Sequence, residues 1–429
     1  MKKIVYIVLD GLGDLPHPDL GNKTPLEAAE SPYLDKLSRA GQNGLMYTVG
    51  KDIAPESDIA VISILGYDAE RYYTGRGPLE SYAEGVEVKD GDLAYRVNFA
   101  TLGEGKNIID RRVGRNLTTE EATELSKEVN AKVKLTSLRA DVKFKNTIGH
   151  RGIVVIHPLE GRLSAEVTNT DPAYDKKGHF GVAKEVFEKV LQTCRPVQGK
   201  ENSPEAVNAA KLTNEFVEKS HLVLEESPIN KKRESQGKLK ANLILTRDAG
   251  DRLPKLPQMK ERFGASFGCF VEMPVERGIA LLTGMQIIEL PLPSGDPQKD
   301  YPLRAEKVLS ALEKFDGLYI HIKGPDEPAH DGKAREKKDS IEAIDKYFFA
   351  NLIPHLDMSN SLVCVTADHS TPCTLKAHSA DPVPVLISGA EIRPDEVKTF
   401  SENTCREGSL KVLQGPELLP LLLKLAKKK

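Results

Sequence analysis

Residues 3–10 read KIVYIVLD, six consecutive apolar residues between Lys3 and Asp10. A short apolar run with no polar alternation is buried on both faces, as a parallel strand covered by helices is. The pattern recurs at NLILTRD (242–248), GCFVEM (268–273), QIIELP (286–291), GLYIHI (317–322), SLVCVTAD (361–368) and VPVLIS (383–388). Charged segments of helical period lie between these runs. The clearest is KKDSIEAIDKYFFANLI (337–353), where Ile341, Ile344 and Phe348 recur at near-helical spacing. Together they predict an α/β fold built on a doubly wound, mostly parallel sheet.

The middle of the chain reads differently. From about residue 81 to 235 it mixes polar strands (DLAYRVNF, GIVVIH, LSAEVTN) with charged helical stretches around 182–193 and 203–220. It ends in the basic, breaker-rich SPINKKRESQGK (227–238), which reads as an exposed linker. The expected organisation is a discontinuous domain, 1–80 and 236–429, split by an inserted α+β domain over 81–235.

Composition narrows the function classes. Sixty Lys+Arg against 63 Asp+Glu give a net charge of -3, so no global basic field draws the chain to nucleic acid or an anionic membrane. Any anion site is local. The apolar run at the N-terminus is too short for a signal peptide, and no stretch approaches the roughly 18 apolar residues of a membrane span. Cys194, Cys269, Cys364, Cys373 and Cys405 are an odd set without a CxxC pair, against both a disulfide framework and a thiolate zinc site. A cytoplasmic location is expected.

In open α/β sheets ligands sit at the carboxyl ends of the strands. Asp10 ends the first run; GLYIHI leads into KGPDEPAHDG with Asp326 and His330; SLVCVTADHS delivers Asp368 and His369; His378 precedes the last run. Carboxylates and imidazoles at such positions suit hard-to-borderline divalent metals held by oxygen and nitrogen. Singly, each has an ordinary role: an Asp after a strand caps a helix or forms a turn, and a His packs on a surface. Pro325 and Pro328 favour a turn over a regular helix between Asp326 and His330. Ser57, in APESDIAVISILGYD (54–68), starts a helix and could simply cap it, but Ala60 stands where a capping box wants Glu or Gln. The functional reading makes Ser57 a nucleophile activated by metal, its phosphorylated form stabilised by the helix N-terminus.

Taken in order, VLDGLGD, the Ser57 turn with ILGYD, YTGRGPLE (73–80), IHIKGPDEPAHDG, TADHS and AHSADPVPV resemble the archaeal-type cofactor-independent phosphoglycerate mutases of the alkaline phosphatase superfamily. The matching blocks span nearly the whole chain. The resemblance implies an alkaline-phosphatase-like domain and two divalent metal ions, commonly Mn, with Mg, Co or Zn also compatible. It implies Asp326, His330 and His378 on one metal, with Asp10, Ser57, Asp368 and His369 on the other. It further implies interconversion of 3-phosphoglycerate and 2-phosphoglycerate through a phosphoserine, with the inserted domain closing over the site against water.

For the phosphorylated acid, the insert offers Arg111, Arg112 and Arg115 in IIDRRVGRN and the adjacent pair His150 and Arg151, while Lys323 directly precedes the PDxxxH motif. Guanidinium groups grip carboxylate and phosphate in a bidentate fork that lysine lacks. Each could equally be a solvated surface charge, and Arg76 in TGRGP could pin a glycine-rich loop. The chain departs from bacterial and plant mutases, which carry a small residue where Glu56 precedes Ser57 and have a longer insert. The alternative chemistry is a metal-dependent phosphomonoesterase or phosphodiesterase passing the same phosphoryl group to water; a non-catalytic phosphoacid-binding or metal-storage protein is the third reading. Nothing in the sequence fixes the oligomer.

Overall fold

A computed structural model describes residues 1–177, 180–184 and 186–427. The chain divides into two compact units, one of residues 1–72 and 256–429, the other of residues 73–255.

The first unit holds an eight-stranded sheet in the spatial order Gln286–Ile287, Phe267–Phe270, Gly317–Ile322, Lys3–Leu9, Ser361–Thr366, Val383–Gly389, Gly41–Tyr47 and Lys411–Gln414. Val383–Gly389 runs antiparallel to both neighbours and every other pairing is parallel. The central strands, Lys3–Leu9, Gly317–Ile322 and Ser361–Thr366, are buried almost residue for residue, which explains why they read as unbroken apolar runs. Their carboxyl ends open side by side at Asp10, Lys323 and Ala367. The helix Ala334–Ile344 continues through the π-turn Asp345–Phe349, and its buried stripe is Ala334, Lys337, Ile341 and Ile344.

The second unit is built on a five-stranded antiparallel sheet centred on Leu93–Leu102, which pairs with Ile108–Asp110, Arg151–Pro158 and Leu243–Gly250; Ala140–Asn146 extends it beside Arg151–Pro158. The helices Arg76–Ala83, Thr119–Lys132 and Pro204–Glu225 belong to this unit. Gly77 lets the first of these approach the sheet, because a Cβ there would lie 2.2 Å from the Ala94 carbonyl oxygen.

Several expectations need correction. Leu243–Gly250, expected in the parallel sheet, pairs antiparallel with Leu93–Leu102. That pairing carries the second boundary to 255/256 rather than 235/236, and helix Arg76–Ala83 carries the first to 72/73 rather than 80/81. SPINKKRESQGK is no linker: Pro228–Ser235 is a helix whose wholly buried Arg233 binds Glu121 Oε2, Asn116 Oδ1 at 2.6 Å and the Leu239 carbonyl at 2.9 Å. No helix occupies 182–193 among the described residues; Phe180–Ala183 is a strand paired with Tyr174–Lys177, and residue 185 lies outside them. LSAEVTN contributes only an isolated bridge at Val167. As expected of a proline-rich segment, Asp326–His330 is a single helical turn, with Pro325 in the cap position and Pro328 within it.

Candidate active site

Seven side chains anticipated as metal ligands converge in the first unit. Asp10 follows strand Lys3–Leu9, Asp326 and His330 occupy the turn after Gly317–Ile322, Asp368 and His369 follow Ser361–Thr366, and His378 precedes Val383–Gly389. His330 Nε2 lies 3.3 Å from Asp326 Oδ2 and 3.2 Å from His378 Nε2. On the other side of Asp326, His369 Nε2 lies 3.4 Å from Asp10 Oδ1, 3.3 Å from Asp368 Oδ2 and 3.2 Å from Ser57 Oγ. Ser57 is the first residue of the helix Ser57–Ile64, with Glu56 in the cap position making no side-chain cap. A helix start is suited to an anion, although one of its amides here, Ile59 N–H, already bonds Asp58 Oδ1 at 2.9 Å.

The residues fit divalent metal on three observations. Asp326, His330 and His378 each offer one ligand atom within a 4.8 Å cluster, and so do Asp10, Asp326 and His369, and Asp10, His321 and Asp368. His330 Nδ1 faces the Lys376 carbonyl at 3.1 Å and His378 Nδ1 the Pro55 carbonyl at 2.8 Å. A carbonyl only accepts, so each Nδ1 is the donor, which leaves the two Nε2 atoms, 3.2 Å apart, as the nitrogens that a shared cation would take. Lastly, Asp10 Oδ1, Asp368 Oδ2 and His321 Nε2 are buried without a hydrogen-bond partner among the described residues.

Electrostatics favour ionised carboxylates here. Burial alone would raise the Asp10 carboxyl, but Lys323 and His369 hold it well below its ordinary value. Lys323 Nζ donates to Asp10 Oδ2 at 2.7 Å and to Glu276 Oε1 at 2.6 Å. Expected to grip phosphate, Lys323 is thus engaged as a countercharge to Asp10.

The second unit gathers cations. Arg111 is committed to Asp171, its Nε 2.7 Å from Oδ1, and Arg247 NH1 shares Asp171 Oδ2 at 3.2 Å. The Tyr174 ring lies under both guanidiniums, at 5.4 Å from Arg111 and 4.6 Å from Arg247. Arg76 Nε and Arg96 Nε share Glu80 Oε1, at 2.7 and 3.4 Å. Arg112 and Arg151, half-buried to exposed, and the exposed Arg115 make no ion pair among the described residues. Burial, with Arg151 and Arg112 nearby, depresses His150 to about 4, so it is neutral near pH 7.

The family model for 2,3-bisphosphoglycerate-independent phosphoglycerate mutase matches residues 38–230. A protein of that name from Aeropyrum pernix is 43% identical over 99% of both chains, and one from Archaeoglobus fulgidus is 38% identical over 99% of both. The chain belongs to the 2,3-bisphosphoglycerate-independent phosphoglycerate mutases. It is therefore an isomerase of phosphoglycerate. The solved cofactor-independent mutase of Thermoplasma acidophilum is 30% identical with a TM-score of 0.65, covering 99% of this chain and 100% of that one. A solved Pyrococcus horikoshii protein reaches a TM-score of 0.78 at 28% identity, covering 100% of this chain and 98% of its own.

In this mutase several site residues gave no recognisable sequence signal. Glu276 and His321 are buried beside Lys323 and Asp368, yet sit inside a helix and a strand where they read as ordinary members. Arg247 sits in a run that reads as a strand of the other sheet, and its partner Asp171 lies 76 residues away. Lys337 does carry a signal, since it falls on the apolar stripe of its helix, and it is wholly buried on Asp14 at 2.8 Å.

Proposed function

We propose that this mutase interconverts 3-phosphoglycerate and 2-phosphoglycerate through a phosphoserine at Ser57, with Asp326, His330 and His378 holding one divalent cation and Asp10, Ser57, Asp368 and His369 the other. A donor set of oxygen and nitrogen without sulfur accepts Mn, Mg, Co or Zn, and the family resemblance makes manganese the expected one of these. When bound, the cations lower the pKa of the serine hydroxyl and neutralise charge on the transferring phosphoryl group. The Ser57 oxygen attacks phosphorus and the bond to the glycerate 3-oxygen breaks, leaving phosphoserine and glycerate. Glycerate turns, its 2-oxygen attacks the same phosphorus, and the bond to Ser57 breaks. The amides at the start of helix Ser57–Ile64 stabilise the phosphoserine anion. Arg112, Arg115, His150 and Arg151 are the residues of the inserted unit proposed to hold carboxylate and phosphate, with Arg111 braced on Asp171.

The observation that carries this reading is Ser57 Oγ at a helix N-terminus, 3.2 Å from His369 Nε2, in a member of the mutase family. Metal-depleted enzyme reconstituted with Mn, Mg, Co or Zn should convert 3-phosphoglycerate to 2-phosphoglycerate without added 2,3-bisphosphoglycerate. Free phosphate as the main product would instead make it a phosphatase.

A further inference from the structure

Thr371 belongs to neither donor set, yet touches both. Its hydroxyl lies 2.7 Å from Asp326 Oδ1 and 2.9 Å from His369 Nδ1. A hydroxyl has a single proton, and an ionised carboxylate only accepts. That proton therefore goes to Asp326, and the hydroxyl oxygen must accept an N–H from His369 Nδ1. The consequence is a defined ring: with Nδ1 held as a donor, Nε2 is the nitrogen His369 turns to Ser57, Asp10 and Asp368 and the one left to bind a cation.

The hydroxyl is itself held rigidly. Thr371 is wholly buried, its N–H bonds the Gly13 carbonyl at 2.9 Å, and its own carbonyl accepts from Lys337 Nζ at 3.0 Å. The same ammonium bonds the Gly13 carbonyl at 3.0 Å and Asp14 Oδ2 at 2.8 Å, so the segments after strands Lys3–Leu9 and Ser361–Thr366 share one buried charge. Space around the hydroxyl is closed on the far side by Gly11, where a Cβ would lie 2.8 Å from Thr371 Oγ1 and 2.6 Å from Asp326 Oδ1.

We infer that Thr371 is a positioning residue that makes the two cation sites interdependent, orienting Asp326 for one and fixing His369 Nε2 as the open nitrogen for the other. This rests on the two-cation reading above. Either cation, by ordering the side chain on its own side of the shared hydroxyl, prepares the ligand on the opposite side.

The test is calorimetric titration of metal-depleted enzyme with Mn, comparing the parent with Thr371→Ser, Thr371→Ala and Thr371→Val, alongside thermal unfolding of each metal-free form. Loss of an outer hydrogen-bond partner typically costs about 10- to 100-fold in metal affinity, so the alanine and valine variants should lose that at both sites while serine stays near the parent. The serine and alanine variants differ only in the hydroxyl, which keeps the test valid should valine fail to fold. Weakening at one site alone, no weakening, or a serine variant as impaired as alanine would each overturn the coupling while leaving the two-cation reading standing. A parent that takes up fewer than two ions would overturn both.

Discussion

At the strand ends of the first unit two buried carboxylate oxygens, Asp10 Oδ1 and Asp368 Oδ2, are acceptors without a hydrogen-bond partner among the described residues. In the inserted unit the guanidiniums of Arg112, Arg115 and Arg151 are donors that make no ion pair among the described residues. The first arrangement is stabilised by cations and the second by anions, so one chain carries complementary halves of what a phosphorylated acid and its metals require. Burial does different work in each. Around Asp10 it is outweighed by Lys323 and His369, keeping the carboxylate charged; around His150 it acts with neighbouring arginines to remove charge.

The largest expected effect tests whether the cation-taking half contains the reacting atom. Ser57→Ala should fold, keep most of its metal, and lose turnover by about 10⁴-fold or more, the scale on which essential nucleophiles act. Chelation should abolish turnover in the parent, and His378→Ala and Asp326→Asn should each lower metal content measured by atomic emission. Full metal loading in both variants would break the comparison on its first side.

A buried charge within that half gives the next effect. Lys337→Met strands Asp14 without its cation and should cost about 3–5 kcal/mol of stability, with much of it recovered in the double variant Lys337→Met/Asp14→Asn. Denaturant unfolding of the single and double variants measures it.

The anion-taking half is tested by Arg112→Ala and Arg151→Ala. If these guanidiniums meet desolvated substrate oxygens, each change should weaken productive binding by about 2–5 kcal/mol in kcat/KM while metal content stays at the parent level. The exposed Arg115 should matter less if it remains solvated, and Arg→Lys should recover part of the loss because the planar fork is absent. Normal kinetics in Arg112→Ala, Arg151→Ala and Arg115→Ala alike would make the cluster a solvated face.

The smallest effect is on stability against pH and sharpens the role of burial. Burial raises the Asp345 carboxyl to about 6, with the backbone N–H groups of Leu34 and Tyr33 opposing it. An unfolded aspartate titrates near about 3.9, so between these values the folded chain binds more protons and this group's contribution to stability falls as pH rises toward about 6. The difference in thermal midpoint between parent and Asp345→Asn should change across that window and level off above it. A constant difference would refute the raised value.

The central sheet was legible because strands buried on both faces, such as Lys3–Leu9 and Ser361–Thr366, must be apolar throughout. An apolar run does not name its partner, so nothing in NLILTRD shows that Leu243–Gly250 pairs with Leu93–Leu102, and nothing in VPVLIS shows the reversed direction of Val383–Gly389. Charge misled where it was buried: Arg233 made a helix look like a linker. At the site, Asp and His at strand ends were readable because topology limits where ligands gather. Thr371 was not, since its role depends on which loops meet. Arg111 was readable as a cation but not as one already paired, because Asp171 lies 60 residues away.

The central claim is tested most directly by mass spectrometry of Mn-loaded enzyme quenched in acid while turning over 3-phosphoglycerate. The account predicts a phosphate on the peptide containing Ser57, at that residue, and none on the corresponding peptide of Ser57→Ala. An unmodified Ser57 peptide during full turnover, with phosphate found on another side chain, would contradict it.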